Sequence, residues 1–174
     1  MQFPISPFAT LCGGLRYSMA RVRPGSKEWN ETGIAQMSDQ KRYDEIAQQL
    51  PPFGQIFGLR ILQAHPDCLR AELLVTEALS NRNGVLHGGA IMGLADNLGG
   101  TATFLNLAEG QGTTTIESKT NFLRSVAIGE TLTTETAPLH RGRRTHVWQT
   151  RLIRSDGKLA AVVTQTQMIL NASE

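Results

Sequence analysis

One carboxylate stands among glycines in the stretch NRNGVLHGGAIMGLADNLGG, residues 81–100. The residues three and four positions away from Asp96 are Met92, Gly93, Gly99 and Gly100. In a helix this spacing leaves little side-chain bulk around the carboxylate. Each helical glycine costs about 0.5–1 kcal/mol relative to alanine, so several on one face indicate that a backbone or a ligand comes close. A carboxylate that loses water in such a setting becomes a stronger base, and the pattern predicts a general base.

The alternative for Asp96 is an ordinary solvated acid in the last turn of a helix that ends near Gly99 and Gly100. An acid near a helix C-terminus is unfavourable to the helix dipole by a few tenths of a kcal/mol or more, which weakens this alternative.

His87 and the pair Gly88-Gly89 fall where the same helix is expected to begin. Backbone N–H groups at a helix start lack intrahelical partners and can hold a developing oxyanion, and glycine lets a carbonyl group approach. The alternative for His87 is a loop or capping histidine. Nine residues separate His87 from Asp96, which is half a turn out of phase and roughly 13 Å along the helix axis. The two cannot share a site within one helix, so we predict a two-fold dimer with composite sites.

These residues need a helix and a sheet to position them. Apolar residues recur every three or four positions from Ile91 to Leu105 and predict a long helix with one buried stripe. A short helix from Ser38 to Leu50 and a β-hairpin with its turn at Pro66-Asp67 precede it, and four Thr-, Val- and Ile-rich strands follow it. The order predicts an α+β fold in which a mainly antiparallel sheet of about six strands, the last four in a meander, curls around one long central helix.

Composition bounds the class of protein. The 174 residues are 40% hydrophobic and 18% charged with a net charge of +2, which fits one globular domain and implies no nucleic-acid partner. No apolar run is long enough for a membrane span. Cys12 and Cys68 lie far apart without metal-ligand spacing, which argues against a disulfide-stapled or zinc-dependent fold and favours a reducing, intracellular setting. Residues 1–37 read as an N-terminal extension of unknown role before a domain over residues 38–174, with a mitochondrial transit segment as the alternative.

The motifs together resemble those of a known family. They are Asn81, Gly84, His87-Gly88-Gly89, Leu94-Ala95-Asp96, Thr115-Ile116-Glu117 and Asn121-Phe122-Leu123-Arg124. Over about residues 40–170 the chain resembles the phenylacetyl-CoA-thioesterase-like (PaaI-like) branch of the hotdog-fold acyl-CoA thioesterases. The resemblance implies a sheet wrapped around the central helix, dimers with one continuous sheet, and a dimer of dimers, that is, a homotetramer.

The resemblance also implies roles for individual residues. Asp96 would be the general base or nucleophile that delivers water to a thioester carbonyl, and Thr115 would hydrogen-bond the water or the acid. The Gly88 N–H would polarise the carbonyl with help from Asn81, while His87 would support the loop. Asp96 and Thr115 would come from one subunit, and Asn81 and Gly88 from the other.

Coenzyme A carries phosphates, which guanidinium groups bind bidentately. The candidate arginines are Arg124, Arg141, Arg143 and Arg144, and the candidate residues around the substrate are Gly89, Met92, Gly93 and Gly100. We therefore expect an acyl-CoA thioester hydrolase that needs no metal and no cofactor other than the coenzyme A of its substrate. The expected location is the cytoplasm, in a bacterium. The alternatives are a non-catalytic acyl-CoA-binding sensor and a hotdog hydroxyacyl-thioester dehydratase.

Overall fold

A computed structural model describes Cys12, Lys41 and residues 43–171. One six-stranded antiparallel sheet holds one long helix against its concave face. The helices are α1 (43–48), α2 (Pro52–Ile56) and α3 (Gly88–Phe104). The strands are β1 (Arg60–His65), β2 (Cys68–Leu74), β3 (Gly112–Phe122), β4 (Thr131–Arg141), β5 (Thr145–Ile153) and β6 (Leu159–Leu170). The predicted α+β class, with a curved sheet around a central helix, is confirmed.

Helix α3 forms where the apolar periodicity predicts it. Ile91, Leu94, Ala95, Leu98, Ala102 and Leu105 are all buried. The helix continues past Gly99 and Gly100 to Phe104, so the alternative in which it ends at these glycines is wrong. Thr103 ties the last turn to the sheet, because its hydroxyl donates to Gly99 O and accepts a 2.7 Å hydrogen bond from Trp148 Nε1 on β5.

The strand order is β1-β2-β4-β5-β6-β3. The predicted hairpin of β1 and β2 is confirmed, and β4, β5 and β6 do form a meander. The predicted position of β3 within that meander is wrong, because β3 pairs with β6 at one edge while β4 pairs with β2.

The segment from Leu123 to Glu130 makes this order possible. Strand β3 lies at one edge of the sheet, and β5 and β6 separate it from β4. The segment spans that gap and is held by a 2.9 Å hydrogen bond from Leu86 N to Val126 O and by a bridge between Val85 and Ala127. Turn residues predict that a chain reverses, but they do not say which strand the returning chain joins.

The short helices close one side of the molecule. Ala47 of α1 is buried in the core, and Ile46 and Leu50 pack against it. The predicted helix stops before Pro51-Pro52 as expected, but Pro52 also starts α2, which the sequence reading missed. Proline is favoured at a first helical position because that residue needs no N–H partner.

The two cysteines are bonded to each other. Cys12 and Cys68 form a disulfide with their Cα atoms 5.5 Å apart, and Cys68 is buried at the first position of β2. The prediction against a disulfide is therefore wrong. A separation of 56 residues along the chain does not limit their distance in the folded state. Cys12 is the one residue of the predicted extension that the structure describes, and the rest of the extension and Ser38 lie outside the described residues. In the described part of the chain, no helix has the length and apolarity to cross a bilayer.

Candidate active site

Helix α3 places Asp96 beside the sheet. Its neighbours Ala95 and Asn97 are buried, whereas Asp96 lies off the apolar stripe with an exposed side chain. The expectation that Asp96 is desolvated is thus wrong for a single chain. Among the described residues none covers this carboxylate, so its desolvation requires a further group such as a bound ligand or a second copy of the chain.

Asp96 lies at the end of a polar network that the sheet supplies. Its Oδ1 accepts hydrogen bonds from Thr115 Oγ1 at 2.8 Å and from Gln165 Nε2 at 2.5 Å. Gln165 Nε2 is also 3.1 Å from Thr115 Oγ1, which accepts a further bond of 2.7 Å from Gln167 Nε2. Thr113 Oγ1 donates to Gln167 Oε1 at 3.0 Å and is the last member of this hydrogen-bond network. Both glutamines are at most 2% exposed, so the donors are fixed by packing while the carboxylate stays accessible.

A β-bulge gives the network its register. Thr115 of β3 lies opposite Gln167 of β6, and the pairing then shifts before Glu117. Because of that shift Ser118, three residues after Thr115, faces Gln165. An unbroken strand would alternate with period two and would put Ser118 on the opposite face from Thr115.

The start of α3 has a different geometry. His87 is the N-cap, and its Nδ1 accepts a 2.8 Å hydrogen bond from Gly89 N. Asn81 shapes the preceding turn, because its Oδ1 accepts from Asn83 N at 2.8 Å and its carbonyl accepts from Gly84 N at 3.0 Å. Gly84 needs its glycine, since its φ is +71°. The side chain of His87 therefore engages the Gly89 amide, and Gly88 provides the first amide of the helix.

The candidate base and the candidate oxyanion donor line two different cavities. Asp96 and Thr115 lie on a cavity of about 440 Å³. It is also lined by Ile46, Gln49, Pro51, Asn97, Gly100, Thr101, Phe104, Thr113 and Gln167. Asn81 and Gly88 lie on another cavity of about 380 Å³, beside Phe122 and Arg124. One chain thus brings the candidate base together with Thr115, and Asn81 together with Gly88, but it does not join the two pairs.

Most glycines of α3 make room for side chains of the same polypeptide rather than for a ligand. A Cβ on Gly93 would lie 2.9 Å from the Phe57 ring and 3.1 Å from that of Phe53. One on Gly88 would lie 3.2 Å from Phe122, and one on Gly99 would overlap the amide of Gln165. Gly100 alone of these four has open space beside it, and it lines the Asp96 cavity. The expected room for substrate is thus limited to Gly100, and the space at Gly93 is taken by α2.

The other candidate substrate residues are spread out. Gly89 lies with His87 on a third cavity of about 300 Å³, and the Met92 side chain is 42% exposed. Arg124 lines the Gly88 cavity and donates to Leu159 O at 3.0 Å. Arg141 is engaged within the chain, where it donates to Asn106 Oδ1 at 2.8 Å and pairs with Asp67.

Arg143 and Arg144 are exposed at the turn between β4 and β5. The structure brings Arg124 to one of the two cavities, whereas Arg141, Arg143 and Arg144 line neither.

Gln165 and Gln167 are the site residues that sequence reasoning missed. The signal lies in the text VVTQTQMIL, where Val163, Gln165, Gln167 and Ile169 alternate with more polar or exposed neighbours. This alternation puts two amides on the core face of β6. Buried polar side chains need hydrogen-bond partners, so amides at core positions indicate a polar group facing them.

The comparisons with known proteins agree with the fold. The thioesterase superfamily matches residues 83–161. The thioesterase PA1618 of Pseudomonas aeruginosa is 32% identical over 125 residues, which are 71% of this chain and 86% of that protein. A crystal structure of mutant PA1618 is similar to this chain with a TM-score of 0.68 at 29% identity, over 74% of this chain and 93% of PA1618.

Two further proteins show the same relationship. The 1,4-dihydroxy-2-naphthoyl-CoA hydrolase of Escherichia coli is 33% identical over 104 residues, which are 60% of this chain and 76% of the hydrolase. The PaaI protein from the phenylacetic acid degradation operon of E. coli shares the fold, with a TM-score of 0.68 at 20% identity over 75% of this chain and 93% of PaaI. From this similarity and from the sheet wrapped around α3, we conclude that the chain belongs to the thioesterase superfamily, in its hotdog-fold, PaaI-like group.

Proposed function

We propose that this protein hydrolyses acyl-CoA thioesters, with Asp96 as the general base. The observation that carries the proposal is the Asp96 carboxylate, held on Oδ1 by two donors at the wall of a cavity of about 440 Å³. A relative that is 33% identical is a hydrolase of an aromatic acyl-CoA, which supports a coenzyme A thioester as substrate. The side chains of Ile46, Pro51 and Phe104 on the cavity suit an apolar acyl group.

The chemistry follows from the two half-sites. Asp96 takes a proton from a water molecule, whose oxygen attacks the thioester carbonyl carbon. The Gly88 N–H stabilises the negative oxygen of the tetrahedral intermediate. The carbon–sulfur bond then breaks, and the proton held by Asp96 goes to the leaving sulfur, which gives a carboxylic acid and free coenzyme A. The residues of the chain suffice for these steps, without a metal or a further cofactor.

A second copy of the chain would complete the site. Asp96 and Gly88 lie eight residues apart on α3, about 12 Å along its axis, and line different cavities. Strand β3 lies at an edge of the sheet, where Ile116 is 54% and Phe122 is 55% exposed. Exposed apolar side chains on an edge strand favour pairing with another copy. We therefore place each active site across a two-fold dimer, with a dimer of dimers as the larger assembly.

The test is thiol release from a panel of acyl-CoAs with acetyl, hexanoyl, palmitoyl, phenylacetyl and hydroxybenzoyl groups. We expect turnover by the native protein and a loss of at least about a hundredfold in Asp96→Asn, which keeps the shape but removes the base. Glu109→Gln, an exposed acid in the loop after α3, is the matched control and keeps full activity. Binding of acyl-CoA without turnover by the native protein would contradict the proposal and favour the sensor.

A further inference from the structure

Gln165 is buried and donates a hydrogen bond to the candidate base Asp96, but the proposed mechanism gives it no role. It is 2% exposed, on the core face of β6. Its amide nitrogen has two hydrogens, and both have acceptors: Asp96 Oδ1 at 2.5 Å and Thr115 Oγ1 at 3.1 Å. One buried amide therefore joins the helix that carries the carboxylate to the strand that carries the threonine.

Gly99 provides the space for this amide. Gln165 Oε1 lies against the Gly99 backbone, where any Cβ would overlap it. Turning the amide over would place its oxygen against the carboxylate of Asp96, and the two would repel each other. The missing side chain at Gly99 thus gives the amide its room, and the charge at Asp96 selects its orientation.

The network also assigns separate tasks to the two carboxylate oxygens. Oδ1 accepts from both Thr115 and Gln165, and every hydrogen bond from the described residues to this carboxylate ends on Oδ1. Oδ2 is left for a water molecule in the cavity. We propose that Gln165, seated on Gly99, is a positioning residue that holds the Asp96 carboxylate by Oδ1 and so directs Oδ2 at the attacking water. This inference rests on the proposed hydrolysis only for its effect on turnover.

The first test replaces the amide by an apolar side chain of similar length. We expect Gln165→Met to lower kcat by about tenfold to a hundredfold, because small misplacements of reacting groups cost rates of that order. KM should change by less than about threefold, since Gln165 does not line the cavity. Gln149→Met on the neighbouring strand is the control and keeps the native kcat. A Gln165→Met protein that is folded and has native kcat overturns the proposal.

The second test reaches Gln165 without changing it. We expect Gly99→Ala to lower kcat to a similar extent, because its methyl group displaces the amide. In a Gln165→Ala background the same change should cost no further activity, since the group it displaces is gone. Additive losses in kcat would show that Gly99 acts independently of Gln165 and would contradict the seating.

The third test needs no turnover. In the ¹⁵N–¹H spectrum of the native protein, assigned with Gln165→Met, we expect the Gln165 side-chain amide protons downfield of those of exposed glutamines. They should move in Asp96→Ala. Native resonances that coincide with those of exposed glutamines and ignore Asp96→Ala overturn the proposal. A native protein that hydrolyses no thioester yet shows the shifted resonances contradicts the proposed function and leaves the positioning role intact.

Discussion

A threonine hydroxyl has one hydrogen, and the surroundings of Thr115 decide where it points. Two amides, from Gln165 and Gln167, donate to Thr115 Oγ1 at 3.1 and 2.7 Å. The hydroxyl hydrogen is therefore directed at Asp96 Oδ1, 2.8 Å away. Asp96 Oδ1 thus accepts from both Thr115 and Gln165, and the threonine hydroxyl acts as a donor to the carboxylate.

This direction predicts the effect of removing the hydroxyl. We expect Thr115→Val, which keeps the β-branched shape, to lower kcat by about tenfold, with the fold unchanged as measured by circular dichroism. Thr114→Val, one residue earlier on the opposite face of β3, is the control and retains native activity. Equal activities in the two variants would exclude a role for the Thr115 hydroxyl in turnover.

At the scale of residues, the sequence predicts that Asp96 is a candidate catalytic residue, but it does not predict the exposure or all the contacts of that side chain. Asp96 follows from its helical setting and Thr115 from the family resemblance, and the structure places the two in contact. The exposure of Asp96 within one chain could not be predicted, because it depends on how the elements around α3 pack and not on the local sequence. The contact with Gln165 crosses 69 positions of sequence, and such a distance becomes short only through the register of β3 and β6.

At the scale of elements, periodicity predicts what each segment becomes but not what it joins. The buried stripe of α3 and the alternation in β2 are local properties, and both are confirmed. The place of β3 beside β6 depends on the curl of the whole sheet, and the bulge after Thr115 interrupts the alternation along β3 itself. The glycines of α3 likewise have an explanation only once α2 and β6 are packed against them.

Strand β5 carries a pH dependence of stability. His146 is 7% exposed, its ring packs edge-on against Trp148, and its Nδ1 has no hydrogen-bond partner among the described residues. Burial, followed by the positive charges of Arg141 and His140, lowers the pKa of His146 below its usual value of 6.5. Below pH 6.5 the unfolded chain therefore binds a proton at His146 more readily than the folded chain does. The contribution of His146 to the free energy of unfolding is complete above pH 6.5 and declines as the pH falls below it.

We expect the free energy of unfolding in urea to fall from pH 7 to pH 5, and to fall less steeply in His146→Gln. At pH 8 the histidine is neutral in both states, so the stability difference between the native protein and the variant measured there serves as the baseline. A difference between the two proteins that stays constant from pH 8 to pH 5 would show that His146 does not contribute to the pH dependence.

At the scale of the whole molecule, the proposed site belongs to two chains. Proline is tolerated at a first helical position and has no N–H, so Gly88→Pro removes the candidate oxyanion donor and is compatible with α3. The added ring requires the Phe122 side chain, 3.2 Å from the new Cβ and 55% exposed, to move aside. His87 already has the extended conformation that a following proline requires, with φ −67° and ψ 136°. We expect Gly88→Pro and Asp96→Asn each to be inactive by about a hundredfold or more.

Mixing these two inactive proteins tests the composite site. Random pairing after joint refolding makes about half of the dimers mixed, and each mixed dimer has one of its two sites intact, so about a quarter of the native activity should return. Native protein refolded in the same way sets the reference. Activity that stays absent in the mixture would place Asp96 and Gly88 of the same chain in one site.

The exposed edge at β3 has a consequence for how the protein is made. Its 11 residues form one of the longest strands of the sheet, and among the described strands only β6 pairs with it. The outer edge of such a strand has backbone N–H and C=O groups that can pair with another extended chain, including chains that are still folding. The edge proposed to pair with a second copy is therefore also where we expect aggregation of an isolated subunit to begin. In a newly synthesised chain, dimer formation and aggregation compete for this edge. We expect slow synthesis to favour dimer formation, because it keeps the concentration of partly folded chains low.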